Sequence, residues 1–321
     1  RNRMVVRKFN YYRFFIFIGV ILGVLFCIIF YSVKFIKNYN YKKTYEYKLL
    51  SAGYNEEEVK IIKNKLSDDK VDLLLKDKYN KNVVSFIKEK YFIYNNLSKY
   101  IEYKKDNKND TYTHIVAIIN SEANIEWLDN EKETDVSKGE LMLVNRLYGL
   151  PKDYEPDDII DVPVSISYSG VKISKSILDN IEALIDAGKE AGYTFVLSDG
   201  YRSYTAQEKM FESYKNSYGY EEADKNVARP GHSEYQTGIS FQIVPYNKVF
   251  DKPKESAEYL WLHDNAYKYG FIFRYPEDKK DITLFDSYTW RLRYVGSEAA
   301  GIINSEGISF EEYYAYFINK E

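Results

Sequence analysis

Between Phe14 and Val33 the chain runs twenty residues without a charge, FFIFIGVILGVLFCIIF among them. As a helix that stretch would be roughly 30 Å long, the thickness of a bilayer's hydrocarbon core, and it predicts a transmembrane signal anchor over 14–33. No small-residue cleavage site comes after it, so the anchor reads as uncleaved. Beyond it the apolar positions recur at helical spacing in short bursts. Val59, Ile61, Ile62 and Leu66 come after a capping pair, Asn55 and Glu58. Val71, Leu74 and Leu75 form a second burst, and Val83, Val84, Phe86, Ile87 and Phe92 a third. These predict a helical spacer region over 45–110, with the polar run KKDNKND from Lys104 as a linker or loop. The β-branched run from Thr113 to Asn120 predicts a strand, within a linker and edge segment over 111–137.

From Lys138 onward the pattern mixes both periods. Ile177, Leu178, Ile181, Leu184 and Ile185 share one face of a helix from Ser174 to Ala191, ended by Gly192. Phe195 to Leu197 reads as a short buried strand. Thr205 and Glu208 predict a capping box for a helix whose core face carries Met210, Phe211 and Tyr214. In the run GISFQIV, Ile239, Phe241 and Ile243 point one way along a strand and Ser240, Gln242 and Val244 the other. A helix over Ser256 to Tyr269 buries Tyr259, Leu262 and Ala266 and stops at Gly270. GFIFRYP and TWRLRYVG read as the last core strands, and Ser309 with Glu312 caps a final helix. Short strands and helices without a βαβ rhythm predict an α+β domain over 138–321: a small antiparallel sheet with flanking helices.

Composition changes this picture little. Of 321 residues, 45% are hydrophobic and 29% charged, which is globular rather than disordered. The net charge of −3 gives no electrostatic footing for nucleic acid. Lysines and arginines flank the apolar span on both sides, with Arg1, Arg3, Arg7, Lys8 and Arg13 before it; they favour a cytoplasmic segment 1–13. The single cysteine, Cys27, lies inside the span, so the chain beyond the span carries no thiol. The 34 tyrosines fit a base-composition bias alongside abundant Lys, Asn and Ile.

Candidate chemistry centres on Gly231 to Val244, GHSEYQTGISFQIV, and on Tyr288 to Gly296, YTWRLRYVG. Together with SDGYRSYTAQ from Ser198 and LMLVNRLYGLPKDYEPDDII from Leu141, these resemble the VanY-like D-alanyl-D-alanine carboxypeptidases. That resemblance implies a zinc peptidase fold, the LAS type, outside the cytoplasm. It implies ligands from a His and an Asp in S-x-H-x-x-G-x-A-x-D and a His in E-x-W-H-x-R-Y-V-G, whose Glu is the general base. Here Ser233 and Gly238 match, but Tyr235 and Gln242 stand at the first two ligand positions. Trp290, Arg293, Tyr294, Val295 and Gly296 match, but Arg291 stands at the third ligand position and Tyr288 at that of the general base.

A catalytic zinc needs three protein donors, an open coordination position and a nearby base. A neutral amide, a phenol with a pKa of about 10 and a permanently charged guanidinium do not make that set. His114, His232 and His263 lie in separate segments; His232 reads as a hydrogen-bonding structural histidine. The resemblance implies that Arg202 grips a substrate carboxylate, with Ser203, Gln207 and Ser233 at substrate-side positions. The expectation is a single-pass membrane protein with an extracytoplasmic pseudoenzyme domain that lacks zinc and binds peptidoglycan stem peptides or regulates wall metabolism. Two alternatives stand beside it: an active D,D- or L,D-carboxypeptidase, and a structural interaction protein with a closed pocket. For Arg291 there are likewise two readings, a carboxylate clamp with Arg202 or an ion pair with Glu234 that shuts the pocket.

Overall fold

The structure is a computed structural model and describes residues 11–286 and 288–319. The chain separates into two compact units between Leu97 and Ser98.

In the first unit, helix α1 runs over Tyr11–Lys42, twelve residues longer than the uncharged stretch alone predicts, and none of its residues is buried. Its length and a mean hydropathy of 2.9 over its most apolar 18 residues fit either a membrane span or a signal sequence. The basic N-terminal segment falls largely outside the described residues. Four short helices come next: α2 Tyr45–Ala52, α3 Glu56–Lys65, α4 Asp68–Leu74 and α5 Asn82–Lys88. The predicted capping box forms at α3, with the Asn55 side chain accepting from the Glu58 N–H and the Glu58 carboxylate accepting from the Asn55 N–H. Leu49, Val59, Ile62, Val71, Leu74, Phe86 and Ile87 supply the buried core of this unit.

The second unit opens within α6, Leu97–Asp106, so three of the seven residues of the predicted linker KKDNKND are helical. Helix α7 spans Tyr112–Asn120, where the β-branched run predicts a strand. Thr111 decides the outcome locally, since its hydroxyl accepts from the His114 N–H as an N-cap. Ile115 to Ile119 are all buried, so the segment lacks the polar face by which a helical period is recognised. The strand that does occur in this region is the two-residue β1, Lys132–Glu133, parallel to β2, Tyr148–Gly149.

Strands β3 Ile159–Asp161 and β4 Lys172–Ser174 form an antiparallel pair. Helix α8 covers Leu178–Glu190, with Gly192 beyond it at φ +89°. The central sheet is antiparallel throughout, in the order β5 (Phe195–Asp199), β6 (Ser240–Pro245), β8 (Arg291–Tyr294), β7 (Phe271–Phe273). One face carries Leu197, Phe241, Ile243 and Leu292, buried in a core with Ile181 and Leu184 of α8. The other face carries Asp199, Gln242 and Arg291, brought side by side by the register of three adjacent strands.

Helix α9, Tyr204–Tyr218, starts from Ser203, whose hydroxyl accepts from the Ala206 N–H, so Thr205 and Glu208 do not make the predicted box. The buried face of the helix carries Gln207 and Phe211, while Met210 is 43% exposed and Tyr214 half-buried. Helices α10 Tyr220–Asn226, α11 Ala257–Asn265, α12 Lys280–Thr283, α13 Ser297–Glu306 and α14 Phe310–Tyr313 complete the unit. Glu258, Leu262 and Ala266 are buried along and just after α11, whereas Tyr259 is half-buried. The capping box of Ser309 and Glu312 forms as predicted.

Candidate functional site

Glu234 and Tyr235 come from a one-turn 3-10 helix, Glu234–Thr237, that comes after the turn at Gly231 and leads through Gly238 into β6. Both glycines have positive φ, at +84° and +73°, and in both a Cβ would meet a neighbour at 2.8 Å. The turn is fastened by backbone bonds. The Leu150 N–H donates to the Gly231 carbonyl, the Ser174 N–H to that of Gly238, and the Arg202 N–H to that of Tyr235. The Gln236 amide donates to the Pro151 and Tyr154 carbonyls. Residues 150–174 and 200–202 are thus held on the turn.

Beneath it lies a buried ionic network. Arg293 donates to Glu234, and Arg274 bridges Glu234 at 2.7 Å and Glu311 at 2.7 Å, with all four side chains at most 1% exposed. Remaining donors of Arg293 go to the Glu140, Met142 and Tyr294 carbonyls, and one of Arg274 to that of Val144. Burial works against the Glu234 charge, but the two guanidiniums outweigh it and hold the carboxyl below its usual range. Glu234 is therefore committed to Arg293 and Arg274, which corrects the reading in which it pairs with Arg291.

Arg291 opens β8, directly beside Gln242 on β6. Its guanidinium lies 4.1 Å from the Tyr288 ring centroid, 4.4 Å from that of Tyr235 and 5.7 Å from that of Tyr275. Three phenol rings thus surround one cation. Among the described residues no carboxylate pairs with it, and its Nε is buried without a hydrogen-bond partner. The Tyr235 hydroxyl is likewise buried and interacts with the Arg291 side chain, with no further hydrogen-bond partner among the described residues. Burial pushes that phenol's pKa up, while the Arg291 guanidinium pulls partly against it. The Tyr288 hydroxyl donates to the Asn226 carbonyl at 3.4 Å.

Arg202 also faces Tyr235, its guanidinium 4.9 Å from the ring centroid. Its charge is already met, because it donates to Asp199 at 2.6 Å and to the Gln207 side-chain oxygen at 3.1 Å. Gln207 in turn donates to the Ala228 carbonyl at 2.7 Å. Arg202, Gln207, Tyr235, Gln242 and Arg291 are therefore linked through contacts or strand pairing. Ser203 is used as the helix cap. Ser233 is buried at the turn with its carbonyl accepting from the Gln236 N–H. His232 hydrogen-bonds the Asn145 carbonyl through Nδ1 at 2.8 Å, and burial lowers its pKa. Among the described residues no group of three His, Cys, Asp or Glu is placed to hold a metal. Tyr235, Gln242 and Arg291 supply neither an imidazole nor a carboxylate to a cation there.

Sequence reasoning did not find the network of Arg274, Glu311, Glu234 and Arg293, nor Tyr275 beside Arg291. The one signal was Arg274 itself, a charge directly after the apolar strand GFIF.

A four-stranded antiparallel sheet, filled on one face by α8 and bearing an arginine-rich site on the other, makes this a small α+β domain. The VanY family profile, D-alanyl-D-alanine carboxypeptidase, matches residues 170–297. YodJ of Bacillus subtilis is 39% identical over 181 residues, 54% of this chain and 66% of YodJ, so the chain spans just under two thirds of that relative. A D-alanyl-D-alanine carboxypeptidase of Enterococcus faecalis is 32% identical over 57% of this chain and 68% of its own length. The solved structure of the LdcB LD-carboxypeptidase, reported with its basis of peptidoglycan recognition, is similar at 36% identity and a TM-score of 0.54. It covers 59% of this chain and 91% of LdcB. The chain belongs to the VanY family.

Proposed function

We propose that this chain is a membrane-anchored, non-catalytic member of its family that holds peptidoglycan stem peptides outside the cell. The observation that carries this reading is the exchange at the centre of the site. Arg202 and Gln207 are in place and mutually hydrogen-bonded, while Tyr235, Gln242, Arg291 and Tyr288 occupy the four positions of the expected metal chemistry. A guanidinium repels a divalent cation at contact distance, none of these four side chains supplies a basic group at neutral pH, and the one carboxylate nearby, Asp199, is held by Arg202. This arrangement fits recognition of a peptide terminus without a route to hydrolysis. The names of the relatives, carboxypeptidases acting at D-alanine, support a peptide with that terminus as ligand.

Zinc content and D-alanine release by the purified full chain test this directly. The expected outcome is zinc well below one equivalent, no release of D-alanine, and a melting temperature unchanged by a chelator. Stoichiometric zinc together with released D-alanine would overturn the reading in favour of an active carboxypeptidase.

A further inference from the structure

The arginines that meet around this site are almost all neutralised by the chain itself. Glu234 and Glu311 match Arg274 and Arg293, and Asp199 matches Arg202. On the neighbouring side Arg146 and Arg229 each lie 3.8 Å from Asp224, and Arg229 also meets Glu131. Arg291 is left over. Tyrosine rings surround it, but a neutral quadrupole contributes far less than a counter-ion does to a desolvated cation. Its own Nε is buried without a partner, which costs free energy unless something binds it, and the Tyr235 hydroxyl beside it interacts only with Arg291 among the described residues.

We infer, taking the non-catalytic reading as given, that Arg291 is the fixed cation of an oxyanion receptor whose ligand is the terminal carboxylate of a peptide. One uncompensated positive charge matches one carboxylate, whereas a dianion such as phosphate would leave a charge unmatched in a partly desolvated site. The flat guanidinium pairs with a carboxylate through two parallel hydrogen bonds, and the Tyr235 hydroxyl is a further donor within the same group of rings. Arg202 contributes donors and orientation but little net charge, because Asp199 holds it. The two arginines are therefore unequal: Arg291 sets the preference for an anion, and Arg202 helps to position it.

The test is titration of the full chain in detergent micelles with N-acetyl-D-alanyl-D-alanine, its C-terminal amide, and inorganic phosphate. The free acid is expected to bind saturably, with the amide at least tenfold weaker and phosphate weaker still. Arg291→Gln should weaken the acid by about the same factor and leave the amide unaffected, while Arg291→Lys keeps part of the preference. Since Arg291→Gln removes an unpaired charge, its melting temperature should not fall, which separates lost binding from lost folding. Equal binding of acid and amide, or acid binding indifferent to Arg291→Gln, would overturn the receptor and leave peptide recognition standing. Tighter binding of phosphate would overturn the choice of a carboxylate. Absence of binding by either peptide at millimolar concentration would overturn both the receptor and the peptide-binding reading.

Discussion

Glu234 sits between two guanidiniums with almost no exposure, so its removal should be felt more than that of any surface charge. In Glu234→Gln the Arg293 and Arg274 charges lose a shared partner in a dry setting, and breaking such a buried pair costs roughly 3–5 kcal/mol. The carboxyl is held below its ordinary range in the folded state, so its contribution is complete above the unfolded value of about 4.3. That contribution is lost as pH falls through the depressed folded value. The gap in stability between the wild-type chain and Glu234→Gln should accordingly be full at pH 7 and shrink in acid. Denaturant unfolding at both pH values measures it; a gap of the same size at pH 3 would contradict the linkage. This network was not legible in the sequence because its members are 37 and 59 residues apart and no local period joins them. The exchanges at Tyr235, Gln242, Arg291 and Tyr288 were legible, since matched neighbours fix their register. What those residues do instead was not, because it depends on which carboxylates the fold has already committed.

At the scale of elements, caps and strand alternation carry most of the fold's signal. Asn55 with Glu58 and Ser309 with Glu312 form boxes because each pair lies three apart at a helix entrance without a competing hydroxyl. Thr205 with Glu208 does not, because Ser203 two residues earlier takes the capping position. Helix α7 reads as a strand in the sequence for a different reason: a segment buried on all sides shows no period, and β-branching then tips the balance toward strand. The loop after β5 is the element on which Arg202 depends. At Gly200 a Cβ would come within 2.2 Å of the Lys172 carbonyl oxygen, the same oxygen that accepts from the Tyr201 N–H at 2.7 Å. Gly200→Ala must therefore push β5 and β4 apart, at a cost of about 1–3 kcal/mol for overpacking. Arg202 would move with the loop, so the variant should lose both thermal stability and affinity for the N-acetyl-D-alanyl-D-alanine peptide. Unchanged values of both would mean that the loop has room that the close approach denies.

At the scale of the whole molecule the arrangement that matters is an exposed apolar helix in the same chain as a VanY-family domain proposed to hold wall peptides. A helix of 32 residues whose most apolar 18-residue stretch has mean hydropathy 2.9, with no buried residue, finds no apolar cover within its own unit. Water is a poor solvent for such a surface and a bilayer is a good one. The uncharged stretch can cross the hydrocarbon core, while Lys34, Lys37, Lys42 and Lys43 remain at or beyond one edge. Charge on both flanks makes the basic residues a weak guide to orientation; a domain that binds wall peptides has its ligand only outside. Residues after about Lys43 are therefore expected to lie on the outer side. Protease added to intact, wall-stripped cells should digest the domain while a cytoplasmic marker survives, and removal of residues 1–43 should release the remainder as a soluble protein. Full protection of the domain in cells whose marker is also protected would place it inside, and with it would go the peptide ligand.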